Sequence, residues 1–162
     1  MLDTKRTGIV HSINVSGGGV PKSGVSVAQV TQWCVVGDAQ NDRIHHGGPD
    51  RAVCLYAQEL VDLLRQEGHP INTGTVGENV TVRGVDWNLV MPGVRVRLGG
   101  SVLLEITSFT KPCKTIRESF QGGAFVRISQ KLYPGWSRVY ARVLQEGEIR
   151  TGDVVQVLLP TA

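Results

Sequence analysis

The apolar positions of this chain fall in short runs, and most of them repeat every second residue. Val94-Arg95-Val96-Arg97-Leu98 alternates strictly, which predicts a strand with its arginines on one solvated face. Gly99-Gly100 is a hairpin signal, and Val102 to Ile106 reads as the return strand. Gly8 to Val15 reads as an opening strand, and Ser26 to Val36 as one or two more. Ala52 to Tyr56 is a continuous apolar run and reads as a buried strand. Gly77 to Val82, Val139 to Leu144 and Val154 to Leu159 complete the set, with Glu146-Gly147-Glu148 as a turn between the last two.

Helical spacing is rarer. Leu60, Leu63 and Leu64 share one face of a helix expected over residues 58–66, with Gly68 and Pro70 as stop signals. A short helix is expected after Cys113, through Phe120, ended by Gly122-Gly123. Another is expected from Ala124 to Leu132, stopped by Pro134-Gly135. Seven to nine short strands with two or three helices give a mainly β fold. Its glycine corners suggest a closed or partly open β-barrel with helices packed outside.

A length of 162 residues suits one domain, 1–162, with a real core. Twenty glycines and seven prolines favour short strands over long helices. The net charge of +3 comes without a basic block, so no nucleic-acid partner is expected. No run reaches the ~20 apolar residues of a membrane span, and the N-terminus leads into a strand. Three cysteines without repeated spacing do not make a disulfide framework. A cytoplasmic setting without membrane contact is expected.

Two segments carry chemistry. The first is His45-His46-Gly47-Gly48-Pro49-Asp50-Arg51-Ala52. A core element has no use for that mixture, whereas a loop approaching an anionic ligand does. The second is Thr110-Lys111-Pro112-Cys113-Lys114-Thr115-Ile116-Arg117. Positive neighbours favour a thiolate at Cys113, the form that attacks electrophiles and binds metals. Cys34 and Cys54 lie inside apolar runs and read as small core residues. A zinc site of His45, His46, Cys54 and Cys113 lacks any Cys-x-x-Cys pair. Hydrolytic chemistry, with His45 or His46 activating Cys113, lacks an oxyanion-hole motif. The loop Ser16 to Lys22 reads, from its own residues, as a flexible solvated turn. Asn79 reads as a contact to a ligand edge or as a brace for a turn. Asp42 and Glu78 read as loop braces.

Together these segments resemble the MOSC domain family, named after the C-terminal part of molybdenum cofactor sulfurase. The matching residues are Gly37-Asp38-Ala39-Gln40 with Asp42, the His45 to Val53 block, Gly77-Glu78-Asn79-Val80-Thr81, Lys111-Pro112-Cys113 and Gly152-Asp153. Order and spacing agree from about Ile9 to Leu158, most nearly with small stand-alone bacterial members. The resemblance implies a β-barrel and a pyranopterin molybdenum cofactor, with Cys113 as the metal's thiolate ligand. It also implies reduction of N-hydroxylated substrates with electrons from an external donor, and it places the Ser16 to Lys22 loop near the ligand mouth as an equal alternative to a solvated turn. Gly47, Gly48, Asp50, Arg51, Asn79, Thr110, Lys111, Lys114 and Arg117 are the expected cofactor contacts. Either His45 or His46 is an expected proton shuttle, beside Cys113, in catalysis. The short chain motivates an alternative expectation, a carrier of molybdenum cofactor or of a Cys113 persulfide, served by a cofactor- or sulfur-delivery protein. The chain shows no companion barrel before the matched blocks and little sequence after Gly152-Asp153, unlike larger relatives.

Overall fold

The structure is a computed structural model, and it describes residues 4–39 and 47–160. Ten strands form among the described residues: β1 (Thr7–Val15), β2 (Ser23–Val25), β3 (Val27–Val30), β4 (Val53–Ala57), β5 (Val80–Arg83), β6 (Arg95–Leu98), β7 (Val102–Phe109), β8 (Val139–Gln145), β9 (Gly147–Arg150) and β10 (Val154–Leu158). The order β10-β6-β7-β8-β4-β5-β1, closed by a β1–β10 pairing, makes a seven-stranded barrel. All its pairings are antiparallel except β4 with β5. That parallel pair needs a crossover, and α1 (Gln58–Gln66) begins it. β2 extends the sheet beside β1, while β3 and β9 form a separate two-stranded sheet.

The alternation in the sequence decides which side chains fill the barrel. Val10, Ile13, Leu55, Val82, Val96, Leu104, Ile106, Val139 and Val155 meet in its interior. A second cluster lies outside the wall, where Tyr56, Val61, Leu64, Ile71, Ile116, Phe120 and Ile128 pack together. β4 separates the two clusters. Every residue of it is buried, with Leu55 in one cluster and Tyr56 in the other. A strand covered on both faces must be apolar throughout, as this one is.

The short helix expected after Cys113 is the six-residue 3-10 helix Lys114–Ser119. Three expectations need correction. The expected helix over 124–132 shrinks to a 3-10 turn at Phe125–Ile128. β-branched Val126 and Ile128 disfavour α-helix, and Ser129 is already extended. α1 is therefore the only α-helix among the described residues. Its buried face is Val61 and Leu64, whereas Leu63 is exposed. Finally, Glu146-Gly147-Glu148 is not merely a turn, because β9 starts at Gly147 and pairs with β3. Gly147 permits close approach there, since a Cβ would fall 2.5 Å from Cβ of Ser101. No helix among the described residues is long and apolar enough to cross a membrane.

Candidate functional site

The alternation of β4 fixes where the site lies. Leu55 points into the barrel, so Cys54 and Tyr56 point outward. Cys54 pairs in register with Tyr140 of β8, which puts both side chains on the same outer face. Arg138, two residues before Tyr140, comes to the same side. Over this patch of wall lies a cavity of about 210 Å³. Its cover comes from three segments: Gly19, Val20 and Lys22 of the glycine loop, Val76 and Gly77 before β5, and Cys113, Thr115 and Ile116 after β7. Arg51, at the end of a 3-10 turn (Pro49–Arg51), joins the lining.

Cys113 is half-buried beside this cavity. It immediately precedes the six-residue 3-10 turn, and its Sγ is 2.9 Å from Oγ1 of Thr115. Arg51 lies over the ring of Tyr140, with Cζ 5.6 Å from the centroid. Arg138 is 6% exposed and donates from Nη1 to the carbonyl of Val76 at 2.6 Å, while its Nε has no partner. Burial raises the Tyr140 phenol above its ordinary range, so the phenol stays protonated at neutral pH. Burial also raises the Cys54 thiol, and Arg138 opposes that shift only partly. Cys54 is thus a neutral wall residue, with Sγ 3.8 Å from Oγ1 of Thr110.

A buried ion pair holds the cover in place. Lys22 Nζ donates to both carboxylate oxygens of Asp38, at 2.6 Å each. Asp38 Oδ1 also accepts from the Ser16 N–H at 3.0 Å, and Oδ2 from Asn79 Nδ2 at 2.9 Å. Asn79 Oδ1 accepts from the Cys54 N–H at 2.9 Å. One carboxylate therefore ties the glycine loop to β4 and β5. Gly74 completes the anchor. Its φ is +84°, and a Cβ there would lie 2.4 Å from the Lys22 carbonyl, so no side chain fits where the two backbones meet. Their contact is the 2.9 Å bond from Lys22 N–H to the Gly74 carbonyl.

Of the expected site residues, Cys113, Arg51 and Asn79 line the cavity. The Asn79 amide is engaged by protein groups, so its bracing role is visible directly. Thr110 is buried behind Cys54. Gly47 and Gly48 precede the Pro49–Arg51 turn outside the lining, and Asp50 points to solvent, where Arg142 lies 3.5 Å away. Lys111, Lys114 and Arg117 are exposed and do not line the cavity. His45, His46 and Asp42 lie outside the described residues, and with them half of the zinc candidate. Among the described residues, no group of three or more His, Cys, Asp or Glu side chains is placed to hold a metal. The Ser16 to Lys22 loop reaches the cavity, as one of its two readings expected, and Cys54 is buried as expected, whereas the sequence pattern missed Arg138 and Tyr140. Arg138 and Tyr140 carry a faint signal, since both fall in phase with Arg142 on the outward side of β8.

Glu78 is buried completely under this wall, with Oε2 accepting from Thr81 at 3.1 Å and Oε1 unpartnered. Burial raises its carboxyl above the usual range, against the pull of backbone N–H groups, Thr81 and Arg138. The folded protein then holds a proton that the unfolded chain releases. Stability contributed by neutral Glu78 is present at low pH and is lost as pH rises above the ordinary carboxylate range. Glu78→Gln is expected to flatten this slope, leaving the variant at least as stable as wild type at pH 8. Urea unfolding at pH 5 and pH 8 measures it, and parallel slopes for the two proteins would refute it.

Residues 42–156 match the family model described as the MOSC domain, which is most of the chain. The chain belongs to the MOSC domain family. The YflK protein of Bacillus subtilis (strain 168) is 32% identical over 123 residues, covering 75% of this chain and 54% of that protein. A protein of Gibberella moniliformis named "Reductase" is 31% identical over 118 residues, covering 70% of this chain and 20% of its own length. This MOSC chain thus spans about half of one relative and a fifth of the other. Among solved structures, YiiM from Geobacillus stearothermophilus superposes with a TM-score of 0.71 at 25% identity, over 94% of this chain and 75% of that one. YuaD of Bacillus subtilis has a TM-score of 0.71 at 18% identity, over 93% of this chain and 95% of that one, and shares the fold. The mainly β barrel is therefore the MOSC fold, and molybdenum cofactor binding is the association that the family brings.

Proposed function

We propose that this MOSC protein binds a pyranopterin molybdenum cofactor through Cys113 and reduces N-hydroxylated compounds with electrons from an external donor protein. The observation that carries this reading is the Cys113 thiol beside a cavity whose wall holds Arg51 and Arg138. The donor set fits the group. A thiolate is the soft ligand that molybdenum accepts, and guanidinium groups suit the phosphate end of a pterin cofactor. The orphaned Nε of Arg138 adds an unfilled donor at the same wall.

The net reaction consumes two electrons and two protons, turning an N–OH bond into N–H and water. When bound, the cofactor supplies the redox metal at which the oxygen leaves nitrogen. Cys113 would be the residue that ligates the metal, with Thr115 as its hydrogen-bonding neighbour. Tyr140 keeps its proton and presents a neutral face beneath Arg51. The Lys22–Asp38 pair fixes the glycine loop over the cavity. The relative named "Reductase" supports the reaction class.

The test is turnover. Protein purified from a molybdenum-replete, cofactor-competent host should reduce hydroxylaminopurine or an amidoxime with reduced viologen as donor. A molybdenum-loaded protein that turns over neither would sink the enzyme reading. A carrier of cofactor or of Cys113 persulfide is the second reading, favoured by the half-exposed Cys113 thiol, which a delivery protein can reach. It requires cyanide-labile sulfur, or exchangeable cofactor, on a protein without turnover.

A further inference from the structure

The segment that carries Cys113 has an outer side as well as an inner one. Lys114–Ser119 is a 3-10 turn, in which side chains three positions apart stand in line. Its six residues therefore make three stripes. Ile116 and Ser119 form the buried stripe. Thr115 and Glu118 form the second, and Thr115 lines the cavity. Lys114 and Arg117 form the third, which is exposed and stays out of the lining. Lys111 is exposed too, just before the buried Pro112. Three cations thus stand on the solvent side of a rim whose inner side carries Cys113. Arg83, Arg95, Arg127, Arg142 and Arg150 each lie within ion-pair distance of a carboxylate. Lys111, Lys114 and Arg117 have no such partner among the described residues, although Glu118 belongs to the same turn. Like charges left together repel one another, and a surface of opposite sign relieves them.

We propose that Lys111, Lys114 and Arg117 form the docking face for an acidic electron-donor protein. The proposal rests on the reductase reading above, which requires an external donor and assigns the metal to Cys113. The charge of the face selects the partner's chemistry. Complementary charge at a rim governs the rate and orientation of encounter more than its tightness. That suits a donor that must dock, pass electrons and leave. Lys114 adjoins Cys113 in the chain, so a protein seated on this face meets the rim that carries the thiol.

The probe is a flavodoxin, a small acidic protein that carries electrons on its flavin. Its binding to the full chain, followed by anisotropy, should weaken steeply as salt rises past about 0.1 M, where the screening length is about 10 Å. The triple variant Lys111→Glu, Lys114→Glu, Arg117→Glu should bind about tenfold more weakly or worse, through a slower on-rate. These side chains are exposed and unpaired among the described residues, so the fold should hold. A control variant, Lys5→Glu, Arg97→Glu, Arg150→Glu, makes the same change in net charge elsewhere and should lose no more than about twofold. Equal losses in the two variants would reduce the attraction to net charge and overturn the docking face. So would salt-independent binding, no binding to wild type, or tighter binding of an RNA oligonucleotide than of flavodoxin. Turnover separates the face from the reading beneath it. Where reduced viologen drives amidoxime reduction by the loaded protein, the flavodoxin-driven rate relative to the viologen-driven rate should fall about tenfold in the Lys111, Lys114, Arg117 variant. An unchanged ratio overturns the face and leaves the reductase reading standing. Failure of loaded wild type with viologen and flavodoxin alike overturns the reductase reading, and with it the partner's role as donor.

Discussion

Cys113→Ser is expected to lose nearly all of its molybdenum and keep its fold. The two halves of this result have separate causes. Sulfur is the softer donor, and a thiol ionises far more readily than a serine hydroxyl, so serine offers molybdenum a poor and mostly protonated ligand. The fold is indifferent, because Cys113 is half-buried, belongs to neither apolar cluster and has Thr115 as its side-chain hydrogen-bond neighbour. Serine can keep that contact, so unfolding free energy should stay within about 0.5 kcal/mol of wild type. Metal analysis of both proteins from the same cofactor-competent host, with denaturant unfolding alongside, checks both halves. Equal molybdenum in wild type and variant would move the metal ligand away from Cys113. Loss of metal together with loss of fold would leave the thiol's role indistinguishable from a structural one.

The barrel was legible because its strands obey a period of two with few exceptions. Val94 to Leu98 and Val102 to Ile106 gave a hairpin from alternation and a Gly-Gly turn, and β6 and β7 pair as that hairpin, Arg95 opposite Glu105. β4 was legible as a buried strand for a different reason, an unbroken apolar run. The failures share a cause. After Cys113 the chain follows tertiary packing rather than its own helical spacing. Ile116, Phe120 and Ile128 dock separately onto the outer cluster through 3-10 turns, and no single helical face serves all three. Gly147 was misread because a glycine needed for close packing looks, in sequence, like a glycine needed for a turn.

The site divides in the same way. Cys113 and Arg51 stand beside prolines and glycines in stretches that no core element explains, so chemistry was the simplest account of them. Tyr140 and Arg138 carry no such local oddity, and Lys22 sits in a glycine-rich loop that reads equally well as a solvated turn. Each belongs to the site because β4, β8 and the glycine loop meet, and only the three-dimensional register brings Tyr140 beside Cys54. Cys54 shows the limit from the other side. Its neighbours Val53 and Leu55 make it look like core, whereas its own side chain faces the cavity.

Asp38→Ala is expected to destabilise the protein by about 3–5 kcal/mol, the range found when one partner of a buried ion pair is removed. The side chains of Lys22 and Asp38 are 9% and 2% exposed, so neither charge is screened by solvent. Without Asp38 the Lys22 ammonium is left buried with no counter-charge from this pair. The Ser16 N–H loses its acceptor as well, and the Asn79 amide keeps only the Asn14 carbonyl at 3.4 Å. The glycine loop is then tied to β5's approach mainly by the Lys22–Gly74 backbone bond, and the cavity cover should loosen with it. Urea unfolding gives the energy, and amide exchange at Ser16 gives the loosening. The double variant Lys22→Met with Asp38→Ala separates two origins of the loss. Removing both charges should recover part of it, because the desolvated ammonium is gone while the unmet N–H groups remain. If single and double variants lose the same amount, the anchor works through the hydrogen bonds that Asp38 accepts from Ser16 and Asn79, and the charge of Lys22 adds nothing to the fold.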